Sequence, residues 1–169
     1  GLWVAGEAAA TGLHGANRLA SNSLMEAIVM GARAAEDIAA FVAKGQPAPR
    51  ITLSDLPKLA ACDMENERQQ LREIMTDLVG VIRNEQGMKD AIREISVIGA
   101  NAEGRDSKTA DMALVARMIA SCALNRTESR GGHCRADYPM PVKAFQKRTF
   151  TTLKEVEGIT AAALLSRKA

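Results

Sequence analysis

The sequence predicts a mainly α fold: an antiparallel three-helix bundle preceded by a strand, a loop and one further helix. Three observations carry this. Aromatic residues make up only 3% of the 169 residues, which argues against the core of a sandwich or barrel. Three successive stretches between residues 65 and 127 repeat apolar residues at helical spacing. Short connections join them, and short connections make neighbouring helices antiparallel.

The elements follow in order. Residues 2–5, Leu-Trp-Val-Ala, read as a short buried strand. A glycine-rich stretch from Gly6 to Gly15 comes next, and then a helix. Ser23 and Glu26 stand at capping-box spacing, where a side-chain oxygen satisfies orphan N–H groups and a carboxylate reaches back from three residues on. Leu24, Ala27, Ile28, Gly31, Ala35 and Ile38 recur at helical spacing, and Gly45, Pro47 and Pro49 end the helix. Prolines 47, 49 and 57 forbid regular helix in 45–64, which reads as a linker between domains.

The bundle occupies 65–129. Its first helix covers 65–83, with Leu71, Ile74, Met75, Leu78 and Ile82 on one stripe. Asn84 caps the second, 85–103, which carries Met88, Ala91, Ile92, Ile95 and Ile98. Gly104 ends it, and Asp106 or Ser107 caps the third. That helix runs to Thr127 and turns Leu114, Val115, Met118, Ile119 and Cys122 inward. Residues 130–169 read as a return segment and tail, with one amphipathic stretch at 152–165.

Composition excludes several classes. An apolar content of 47% with a net charge of +2 is incompatible with intrinsic disorder. Arg33 and Glu36 interrupt the richest apolar stretch, 24–43, so no membrane span is expected. No signal or transit peptide is recognisable, and a cytoplasmic location is expected. The chain starts at Gly1 inside an apolar run, which suggests a fragment. Cys62, Cys122 and Cys134 are odd in number and lack CxxC spacing, against a disulfide scaffold or a cysteine-based metal site. Residues 1–125 carry −3 and residues 126–169 carry +5. The basic charges are dispersed, which favours a solvated surface over a nucleic-acid interface.

The densest polar constellation is Gly6-Glu7 followed by TGLHGANRLASNSL, residues 11–24. Gly12 and Gly15 allow close backbone approach to a ligand. Arg18 suits a bidentate carboxylate or phosphate contact. The loop leads into a helix N-terminus, where free N–H groups favour an anion. The residues alone leave two readings open: an anion and cofactor site, or a glycine-rich turn with a surface arginine. A second constellation, Glu128-Ser129-Arg130-Gly131-Gly132-His133 with Arg135, Asp137 and Tyr138, also has two readings. His133 could shuttle protons, or the segment could be a turn whose Arg and His side chains cap helix carbonyls or pair with a carboxylate; a structural or substrate-edge role is expected rather than catalysis.

The string from Gly1 to Ile38, and HGANRLASNSL above all, closely resembles the C-terminal part of the flavin domain of L-aspartate oxidases. More broadly it resembles the succinate dehydrogenase/fumarate reductase flavoprotein superfamily. The three helices and the ESRG-x-H-x-x-x-DYP segment resemble that family's C-terminal helical domain. Thr11-Gly12-Leu13 and Ala20-Ser21-Asn22-Ser23 look like the oxidase branch. The resemblance implies that residues 1–44 are a remnant of an FAD-binding α/β domain. It implies that Glu7 hydrogen-bonds hydroxyls of FAD and that Ser23 and Leu24 contact its ring system. It implies that Arg18 holds a substrate carboxylate of L-aspartate or another dicarboxylate, with His14 and Ser21 close behind.

The GxGxxG fingerprint, the family's catalytic arginine and its capping domain have no match here. No catalytic residue is therefore assigned to this chain. Its expected partners are the N-terminal flavin and capping domains, and quinolinate synthase as recipient of the product. Exposed apolar faces on residues 1–40 invite homo-oligomerisation. Alone, the chain is expected to be inactive and not to retain FAD. Two rival readings are a succinate dehydrogenase or fumarate reductase flavoprotein, and a helical docking module without chemistry.

Overall fold

The computed structural model describes residues 1–45 and 62–165. The chain divides into two compact units, Gly1–Pro57 and Lys58–Ala169. Most of the expected 45–64 linker lies outside the described residues.

The first unit is a loop laid along one helix. Helix α1 spans Asn22–Ala43, and a short 3-10 turn spans Gly6–Ala8. Residues 2–5 form no strand. A strand needs a neighbour for its N–H and C=O groups, and none lies beside this segment among the described residues. The segment is held by side chains instead. The Trp3 indole N–H donates to Asp37 at 2.6 Å, and its ring meets Phe41 edge-on at 5.4 Å. Gly6, at φ +74°, lies against Ala27; a Cβ there would touch the Ala27 methyl at 3.4 Å. Gly45, at φ +64°, donates to the Val42 carbonyl and closes α1, as its sequence position predicts.

The second unit is the helical bundle. Helices α2 (Glu65–Val79), α3 (Glu85–Ala102) and α4 (Ser107–Asn125) pack together, with α3 central. Their caps match the sequence: Asn84 Oδ1 accepts from Gly87 N–H at 2.8 Å, and Asp106 accepts from Lys108 N–H at 3.2 Å. Gly104 adopts φ +71° just past α3. Leu71 and Ile74 of α2, and Met88, Ala91, Ile92, Ile95 and Ile98 of α3, form the buried core expected of them.

Three features differ from the sequence reading. Ile82 is exposed, because α2 ends at Val79. Ile82–Arg83 instead forms strand β1, paired in parallel with β2 (Cys134–Arg135). Helix α4 turns a different face inward. Ala113, Ala116, Ala120 and Ala123 are buried, while Val115 and Ile119 are about half exposed. The reason is close approach: a Cβ on Gly99 of α3 would lie 3.3 Å from the Ala113 methyl. Small residues let the α3 and α4 backbones come together, and this excludes the bulkier stripe. Finally, the 152–165 stretch forms α5 (Leu153–Leu165), which packs on α3 and α4 and buries Val156, Thr160 and Ala163. The helical unit thus carries a fourth member beyond the three-helix bundle.

Candidate functional site

The loop of the first unit is built around one buried carboxylate. Glu26 lies on α1 and is 5% exposed. It accepts a hydrogen bond from the Thr11 hydroxyl and pairs with His14 Nε2 at 2.6 Å. Those two contacts, Thr11 first, hold its carboxyl below the usual range against the opposing effect of burial. The expected capping box with Ser23 is therefore absent. Helix α1 starts at Asn22, so Ser23 sits inside the first turn and Glu26 turns toward the loop. Ser21 holds the N-cap position at φ +70° and supplies no side-chain cap. The first N–H groups of α1 are consequently not covered by a capping side chain.

Around this core the loop folds by short turns. Gly12 and Gly15 both have positive φ, at +84° and +57°, as glycine alone tolerates readily. Arg18 extends to the surface and meets Glu7 at 3.1 Å. Both are well exposed, so this pair is a weak tether. Ser23 is half-buried, and Leu24 is 69% exposed beside the open end of α1. Leu13 and Leu19 are also exposed. The unit thus gathers Glu7, His14, Arg18, Ser21, Ser23 and Leu24 on one loop and one helix start. The sequence reading missed the carboxylate at its centre. Its signal was the spacing of Glu26 to His14, which capping-box logic assigned elsewhere.

The second constellation is a clasp across helix ends. Glu128 is fully buried and takes both neighbouring guanidinium groups, Arg126 at 2.6 Å and Arg130 at 2.9 Å. It also accepts from Val142 N–H at 2.7 Å. The Arg130 contact above all pulls its carboxyl down to about 2. Arg135 is 1% exposed and grips Asp137 through two bonds. Its third nitrogen donates to the carbonyls of Ala123 and Leu124, the last turn of α4. Arg83 caps α2 through Val79 O and Gly80 O.

His133 receives a proton from neither side freely. A guanidinium only donates, so Arg83 Nη1 at 2.9 Å makes Nδ1 an acceptor. The proton then sits on Nε2, which donates to Arg126 O at 3.0 Å. Burial first, then the charges of Arg83, Arg135 and Arg126, lower its pKa below the ordinary value. This is the geometry of the capping turn in the second reading.

Among the described residues, no cluster of three metal-ligating side chains exists, and no helix is long and apolar enough to cross a membrane.

One unit is thus a loop and helix whose N-terminal turn lacks a capping side chain and whose Arg18 is exposed, and the other is a helical bundle closed by an arginine-rich clasp. Residues 68–162 match the family described as fumarate reductase flavoprotein C-term, and the chain belongs to that family. It is 44% identical over 168 residues to a protein of Xylella fastidiosa named L-aspartate oxidase, covering 99% of this chain and 30% of that protein. It is 48% identical over 141 residues to the L-aspartate oxidase of Rhodospirillum rubrum, covering 82% of this chain and 50% of that one. Among solved structures, the Mycobacterium smegmatis Sdh1 complex in the apo form is similar with a TM-score of 0.73 and 30% identity. That match covers 86% of this chain and 29% of the other. The chain therefore spans less than a third of the length of its Xylella relative.

Proposed function

We propose that this chain is the C-terminal portion of an FAD-dependent L-aspartate oxidase, converting L-aspartate to iminoaspartate for NAD biosynthesis. The similarity to proteins of that name along 99% of the chain carries the reading. The domain division at 45–64, with 1–44 as a piece of the flavin domain and 130–169 returning from the helices, belongs to the same proposal. So do a cytoplasmic location, homo-oligomerisation and delivery of product to quinolinate synthase.

The residues of the first unit fit a flavin nucleotide. Glu7 offers an accessible carboxylate for hydroxyl donors and pairs with the exposed Arg18. The start of α1 offers N–H groups and a positive dipole end to an electron-rich ring edge. Leu24 offers an exposed apolar surface to a ring face. The flavin, when bound, would supply the hydride acceptor. Arg18 would then leave Glu7 and grip a substrate carboxylate, giving orientation as well as charge through its planar fork. Ser21 and His14 would support that grip from the same loop. A dicarboxylate is favoured because a second carboxylate gives such a fork something to read.

The first test is the visible spectrum of the 169-residue chain after incubation with FAD and desalting. No retained flavin band and no aspartate-dependent peroxide are expected. The longer protein carrying this chain should show aspartate-dependent bleaching of its flavin, and Arg18→Ala should raise KM for aspartate. The similarity to an Sdh1 complex favours a second reading, a succinate dehydrogenase flavoprotein. Bleaching by succinate but not by aspartate would establish that reading instead.

A further inference from the structure

We infer that Glu26 is a positioning residue: acting through Thr11 and His14, it sets where the loop carries Arg18. The inference rests on the proposed role of Arg18 as the carboxylate-binding residue.

The loop from Thr11 to Ser21 runs outside regular structure, with positive φ at Gly12, Gly15 and Ser21. Such a backbone has many alternatives and needs an anchor. Its internal turn bonds are long: Gly15 N–H to Gly12 O, and Asn17 N–H to His14 O, both at 3.3 Å. Arg18 to Glu7 is a solvent-exposed pair and holds little. The contacts to Glu26 are of another kind. They are charge-assisted and shielded, because the carboxylate is 5% exposed. They grip the loop at two points, Thr11 and His14, and the second lies four residues before Arg18. Glu26 itself sits on α1, so the loop is referenced to the same helix whose N-terminal turn holds Ser23 and Leu24. One carboxylate thereby fixes the arginine relative to the helix end.

The His14 ring adds a second observation. Its Nε2 faces Glu26, and the carboxylate's other oxygen is taken by Thr11. A carboxylate accepts, so Nε2 carries a proton. The opposite ring nitrogen, Nδ1, is buried and has no partner among the described residues. No second bond competes for the orientation of this ring, and Glu26 alone among the described residues holds it by a hydrogen bond.

Two measurements test this. In the 169-residue chain, a long-range 15N–1H correlation reports the His14 tautomer; the only other histidine is His133, and His14→Gln assigns the signal. The wild type should show an Nε2–H ring with a strongly deshielded proton, and Glu26→Gln, whose neutral amide oxygen accepts more weakly, should move that proton clearly upfield. In the longer flavoprotein, Glu26→Gln should raise KM for aspartate at least about tenfold, with kcat and flavin content little changed. Thr11→Val, which removes one grip, should raise it less, and Glu26→Asp should recover part of the loss. If Glu26→Gln fails to fold, Thr11→Val and the wild-type tautomer decide. An unchanged KM in a folded variant, or a His14 ring lacking the Nε2–H signature, would overturn the proposal. A wild type that turns over no aspartate would sink the functional reading instead, while the tautomer measurement still decides whether Glu26 holds the ring.

Discussion

Arg135 and Asp137 form a two-bond ion pair, at 2.8 and 2.7 Å, that joins opposite ends of two helices. Arg135 also donates to the last carbonyls of α4, and Asp137 also accepts from Glu85 N–H at the start of α3. Each charge therefore sits at the helix end whose dipole it complements. The guanidinium further stacks 4.9 Å from the centre of the Tyr138 ring. Arg135→Ala should destabilise the helical unit by about 3–5 kcal/mol, because it leaves a buried network without its cation. Arg135→Lys should recover only part, since an ammonium cannot span both carboxylate oxygens and the helix carbonyls. Urea melts of the full chain, followed through Tyr138, measure both.

Acid should loosen this clasp in a defined window. The Glu128 carboxyl is held at about 2 against an ordinary 4.5, and that of Asp137 at about 2 against 3.8. A depressed carboxyl stabilises the folded state fully above its unfolded value, and that contribution fades as pH falls toward the folded one. His133 acts in the same direction: its folded form resists protonation, so stability declines as pH drops below 6.5. Thermal midpoints should be flat above pH 7, fall modestly below 6.5 and fall steeply between about 4.5 and 2. Glu128→Gln should flatten the steep part.

Core and surface positions on α3 should separate cleanly. Ile92 is fully buried and Val97 is 62% exposed. Ile92→Ala should cost about 2–5 kcal/mol, through lost burial and the cavity left behind. Val97→Ala should change stability by no more than about 0.5 kcal/mol. Paired chemical denaturation curves check the contrast.

Helix α5 should behave as part of the bundle. Its start has the reciprocal capping box that Ser23 and Glu26 lack: Glu155 accepts from Thr152 N–H at 2.6 Å, and Glu155 N–H donates back to the Thr152 hydroxyl at 3.4 Å. Thr152→Ala should cost about 1 kcal/mol. Val156→Ala should cost about 1–2 kcal/mol through burial alone. If α5 were only a tail, neither substitution would shift the melt.

Much of this architecture was legible in the residues. The caps at Asn84 and Asp106, the stop at Gly104 and the buried face of α3 are local matters of spacing and side-chain chemistry. The capping box Thr152-x-x-Glu155 has the same spacing as Ser23 and Glu26, and here the spacing matches the contacts. The Ser23 and Glu26 pair failed because a competing partner won: Thr11 and His14 offered Glu26 donors in a shielded setting. No spacing rule contains such a contact, since it depends on a loop folding back fifteen residues.

The sequence by itself determined the helices, the caps at Asn84 and Asp106, the buried stripe of α3 and the membership of a flavoprotein family. Those follow from periodicity, capping chemistry and a long specific motif. Only the tertiary structure decided which face of α4 is buried, that α5 joins the bundle, that Ile82–Arg83 pairs with Cys134–Arg135, and that His133 is locked as a neutral cap. Each of those depends on contacts between distant residues. Close helix approach selects small side chains over large ones, and a guanidinium on one side of an imidazole decides where its proton sits.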